Sequence, residues 1–79
     1  MLKLKNISRT DEYIEANYFP EGTDEAGYVQ ININNGEIIS KQITSHDEVT
    51  EMYFEHACSK LWDMRNDEML PDERLVMCY

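Results

Sequence analysis

Basic residues are scarce in this chain. Seven Lys and Arg stand against sixteen Asp and Glu, a formal charge of −9 over 79 residues. Tracking a nucleic acid or adsorbing to an anionic membrane needs clustered Lys and Arg. The balance therefore argues against direct nucleic-acid or membrane binding and leaves room for a basic protein partner. Long apolar runs are also missing. No stretch approaches the roughly 18 apolar residues of a membrane-spanning helix, and no apolar segment follows Lys3 and Lys5 as a secretory signal would require. The cytoplasm is the expected compartment.

The residues that usually carry chemistry are few. The two cysteines, Cys58 and Cys78, read as reduced and buried, since free cysteine behaves as a small hydrophobe. Of the three glycines, Gly22 and Gly27 flank a loop and Gly36 sits in a turn. No G-x-G-x-x-G or P-loop occurs, which excludes nucleotide binding by those routes. His46 and His56, ten residues apart on one expected helix, would lie about 80° and about 15 Å apart and cannot share a metal. HExxH and CxxC are absent, so no zinc site is expected. Serines 8, 40, 45 and 59 have no nucleophile-elbow context. No enzymic activity, cofactor or metal is expected.

What the chain does have is apolar content of 42%, enough for one small domain spanning residues 1–79 with a thin core. A core of this size supplies only about 3–5 kcal/mol net, so self-association would help it. The pattern is strands followed by a long helix and a last strand. Residues 2–8 read as a first strand with Leu2 and Leu4 on one face. Residues 12–19 read as a second, Ile14, Ala16 and Tyr18 facing one way and Tyr13 and Phe19 the other, with a short helix over 10–16 as the alternative. Val29, Ile31 and Ile33 alternate with polar neighbours, and Asn35-Gly36 marks a hairpin. Two registers compete after that turn. A two-residue turn pairs Ile33 with Ile38 and turns Ile39 outward. A bulged three-residue loop pairs Ile31 with Ile39 and gathers Val29, Ile31, Ile33, Ile39 and Ile43 on one face. The bulged register is preferred, because it leaves only Ile38 outside.

The helix is expected from His46 to Asn66, with Ser45 as N-cap and Glu48 completing a capping box. Val49, Met52, Tyr53, His56, Ala57, Lys60, Leu61 and Met64 follow the 3.6-residue spacing of a core-facing stripe, flanked by Phe54, Cys58 and Trp62. After Pro71 an apolar tail should pair with a sheet edge or with a partner chain. The expected class is α+β: an antiparallel sheet of three to five strands, order β-β-β-β-α-β, with one long helix on one face.

The segments 13–22 (YIEANYFPEG), Gly27-Tyr28-Val29 with Asn35-Gly36-Glu37, and 71–79 (PDERLVMCY) resemble a family of short uncharacterised proteins from Gram-positive gut-type bacteria. That resemblance implies no activity and transfers no site residue.

Two functional expectations follow from the residues. The first is a small intracellular interaction module that self-associates as a homodimer. A helix of about 31 Å would outrun strands of about 24 Å, exposing Leu61, Trp62 and Met64. With Tyr13, Phe19 and Tyr79 these form the candidate interface. The second is an acidic decoy for the basic groove of a nucleic-acid-binding protein. Asp47, Glu51 and Glu55 recur at i, i+4 and i+8 as its docking stripe, where like charges cost a few tenths of a kcal/mol per pair.

Overall fold

A computed structural model describes residues 2–49 and 51–76. Strands β1 (Leu2–Arg9), β2 (Tyr13–Pro20), β3 (Gly27–Asn32) and β4 (Ile38–Gln42) precede a 3-10 turn at Ser45–Asp47. Helix α1 (Met52–Met64) and strand β5 (Arg74–Val76) follow. The strands form one antiparallel sheet in the order β4-β3-β2-β1-β5. The helix packs on one face of it, the expected α+β arrangement. The tail returns in cis to β1, with Leu2 opposite Val76.

The core lies between sheet and helix. Ile14, Ala16 and Tyr18 of β2 and Val29 and Ile31 of β3 supply the period-2 apolar face. On β1 the buried residues are Leu2, Leu4 and Ile7, a change of parity that needs one inserted residue. Asn6 supplies it, at φ 55°, and the β1–β2 register shifts between Lys5 and Ser8. Asparagine tolerates this left-handed conformation better than other residues with a Cβ. Its side-chain amide donates to Asn17 at 3.0 Å.

Tyr18 is the centre of the packing. Its ring meets Phe54 edge-on at 6.0 Å, and its hydroxyl accepts the backbone N–H of Thr44 at 3.1 Å. Gly27, its cross-strand partner, lies under the ring. A Cβ built on Gly27 would fall within 2.2 Å of ring carbon Cε1.

Three expectations are corrected. First, the hairpin takes neither register. The Asn32 N–H donates to the Glu37 carbonyl and Gly36 N–H to the Asn32 carbonyl, each at 2.8 Å, which closes a longer loop with Gly36 at φ 77°. Ile31 then pairs with Ile38 and Gln30 with Ser40, so Ile39 is the bulged residue. Both isoleucines are half exposed, at 47% and 51%. The Asn32 and Asn35 side chains decide this loop by accepting from Asn34 N–H at 2.7 Å and Glu37 N–H at 2.9 Å.

Second, the helix starts later. Ser45 is not its cap; the N–H and hydroxyl of Ser45 both donate to the Glu25 carboxylate, at 2.6 and 2.7 Å. The capping group is Asp47, fully buried, which accepts from Tyr53 N–H at 3.0 Å and Phe54 N–H at 2.7 Å. Glu51 takes φ 52° at the junction, so the chain turns before the helix begins. The buried stripe is accordingly Phe54, Ala57, Leu61 and Met64. Val49 is 96% exposed.

Third, the helix does not overhang. Its 13 residues span about 20 Å, shorter than an eight-residue strand of about 26 Å. Its C-terminal end is held by Arg9, whose guanidinium donates to the carbonyls of Met64 at 3.5 Å and Arg65 at 3.0 Å. A cation there complements the negative end of the helix dipole.

Candidate interaction surface

The structure separates the expected interface residues. Leu61 and Met64 are core, at 0% and 1% exposure, and cannot meet a partner. Trp62 is half-buried, with the Arg65 guanidinium stacked 3.6 Å from its ring centroid. Tyr13 and Phe19 are half-buried on the open face, at opposite ends of β2, roughly 20 Å apart. Tyr79 lies outside the described residues, as does Cys78. The acidic stripe is also interrupted: Asp47 is a buried cap, Glu51 is the junction residue, and Glu55 is exposed on the helix.

The open face is a largely satisfied polar surface. Glu15 is its hub, accepting from Ser8 at 2.9 Å, from Gln30 at 3.4 Å and from the Tyr28 hydroxyl. Burial, and then the Glu15 hydrogen bond, push the Tyr28 phenol up to about 12. Asn6, Asn17 and the Gly27 carbonyl form a second chain. At one end Phe19 carries the Lys5 ammonium 5.3 Å from its centroid.

The β4 edge differs. One side of β4 pairs with β3, and the other has no strand neighbour among the described residues. All five of its residues are exposed. Beside it lies an apolar hollow of about 260 Å³ lined by Ile31, Gly36, Ile38, Cys58, Ser59 and Trp62. The Cys58 thiol is pushed up to about 11, mainly by burial and next by Glu55, with Lys41 opposing, which disfavours its thiolate. Lys41 turns its ammonium over Phe54, 5.5 Å from the ring centroid. No acid occurs from Ile38 through Ser45. An unpaired, acid-free edge beside half-exposed isoleucines can accept a strand from another chain, with backbone hydrogen bonds for affinity and the hollow for a side chain.

The β4 edge was not foreseen as a surface. Its signal is the Ile38-Ile39 pair: in a period-2 strand, adjacent isoleucines cannot both reach one core.

No family model, curated protein or solved structure matches this chain. Among the described residues no helix is long and apolar enough to cross a membrane.

Proposed function

We propose that this chain is a small protein-interaction module that self-associates through its β4 edge. The observation that carries the reading is the unpaired edge, with Ile38 and Ile39 half exposed beside the apolar hollow. Two copies related by a two-fold axis would pair β4 with β4 in antiparallel fashion, so that each contributes the same patch. The edge carries no acid from Ile38 through Ser45, so two copies of a chain of net charge −9 can meet there without acids of β4 facing one another. The bulge at Ile39 interrupts the edge and limits how far pairing extends. That favours a closed dimer over a growing sheet.

Sedimentation at about 0.1 mM, where a micromolar complex is nearly saturated, should give twice the 9.3 kDa chain mass. The double variant Ile38→Lys and Ile39→Lys should fold and sediment as a monomer, because both sites are half exposed. A 9.3 kDa wild-type species at that concentration would reject self-association. If such a monomer instead bound a basic nucleic-acid-binding protein, with affinity falling steeply in salt, the acidic-decoy reading would replace it.

A further inference from the structure

The cations of this acidic chain are mostly committed. Arg9 holds the carbonyl end of α1. Arg65 stacks on Trp62 and donates to its carbonyl at 2.6 Å. Lys5 lies 3.8 Å from Glu73 and over Phe19, and Lys41 lies over Phe54. The side chains of Lys3, Lys60 and Arg74 have no ion pair or hydrogen bond among the described residues. Two of these three line one groove. Between α1 and β5 lies an open hollow of about 400 Å³ bounded by His56, Ser59, Lys60, Asp63, Arg74 and Val76, with Leu75 at its rim.

The fold assembles this groove from both sides. His56, Lys60 and Asp63 succeed one another at i, i+4 and i+7, which places them along one side of the helix. Arg74 shares strand parity with the buried Val76 and therefore sits on the helix side of the sheet. His56 and Lys60, assigned to the core stripe by the 3.6-residue spacing, are only half-buried and border this groove instead. The volume falls within the roughly 300–1,000 Å³ of small-ligand sites.

We infer that the α1–β5 groove binds a phosphate-class oxyanion, with Lys60 and Arg74 as its charged donors and Asp63 as acceptor for the proton the anion retains. A guanidinium offers planar, forked N–H donors that match an oxyanion, and an ammonium adds a compact charge. The Ser59 hydroxyl and the His56 ring add further hydrogen-bonding capacity. An ionised carboxylate only accepts hydrogen bonds. Asp63 therefore repels a fully deprotonated anion but is satisfied by hydrogen phosphate, which keeps an O–H near neutral pH. The groove should discriminate phosphate from sulfate on that proton.

The full chain titrated with inorganic phosphate at pH 7.5 and fixed ionic strength, followed by backbone amide NMR shifts, tests the assignment. Saturable shifts confined to α1 around residues 56–63 and to β5 are expected, with sodium sulfate binding more weakly. Lys60→Gln and Arg74→Gln should each weaken phosphate binding about threefold to fivefold, the scale of a partly exposed charge contact. Lys3→Gln should leave it unchanged. Asp63→Asn should fold as wild type and narrow the gap between phosphate and sulfate. A small phosphomonoester, mostly without a proton at pH 7.5 because its second pKa is about 6, should bind more weakly than inorganic phosphate. No saturation up to about 20 mM, beyond the millimolar range of a weak site, would overturn the site. So would unchanged binding in the Lys60 and Arg74 variants. Sulfate or a monoester binding as tightly as inorganic phosphate would overturn the role given to Asp63.

Discussion

At the residue scale, Tyr18 and Gly27 act as one unit. The ring covers the glycine, and the hydroxyl serves the buried N–H of Thr44. Removing the hydroxyl leaves that N–H without its acceptor, so Tyr18→Phe should cost about 1–3 kcal/mol in urea melts. Gly27→Ala should cost a comparable amount, because the ring must leave its place between the glycine and Phe54. Cys58 gives a pH dependence with a definite sign. Its thiol ionises near 9 when unperturbed and near 11 in the fold. Once the pH passes 9 the unfolded chain binds fewer protons than the folded one, so stability is full below pH 9 and declines toward pH 11. Cys58→Ser should flatten the decline in that window, measured as the urea midpoint against pH.

At the scale of elements, the parts whose periodicity is local were legible. The alternations in β2 and β3 emerge from residue spacing alone, because each half-buried strand repeats a two-residue pattern; the apolar tail asks only for a sheet edge or a partner chain, and the pairing with β1 decides between them. The elements that slipped were set by distant partners. Ser45 looks like a cap in sequence, yet its donors are taken by Glu25, twenty residues upstream. Asp47 caps from six and seven residues away across a turned junction, a spacing no capping box describes. The Asn32 and Asn35 side chains shaped a loop that neither simple hairpin register contains. The interface expectation at Leu61 and Met64 fails for the same reason: it rests on a helix that outruns the sheet, and the shorter helix seats both in the core. Asp47→Ala should cost roughly 2 kcal/mol or more, at the upper end for lost caps, since two helix N–H groups lose a buried acceptor. Asp47→Asn should cost less. Ile38→Ala and Ile39→Ala should each cost under about 1.5 kcal/mol, well short of the 2–5 kcal/mol of a core site. A core-sized loss at Ile39 would restore the bulged register expected from the sequence.

At the scale of the molecule, sixteen acids surround seven bases and the folded state holds them together against self-repulsion. The melting temperature should therefore rise between about 0.01 M and 0.15 M salt, as the Debye length contracts from about 30 Å to 8 Å. A fall on adding salt would mean that ion pairs such as Lys5–Glu73 outweigh the net repulsion.

The pairing of β5 with β1 makes Leu2 and Val76 cross-strand neighbours, their Cα atoms about 5 Å apart. The backbone path from Leu2 to Val76 is thus nearly a closed ring, and where that ring is cut is a matter of covalent convenience. A short glycine linker running from Val76 to Leu2, with a new break in the exposed segment 24–26, should yield a circular permutant with the same sheet order. In that permutant β1 and β5 become adjacent in sequence. The closure that spans most of the native chain would become a local hairpin, and refolding should be faster if that closure limits the rate.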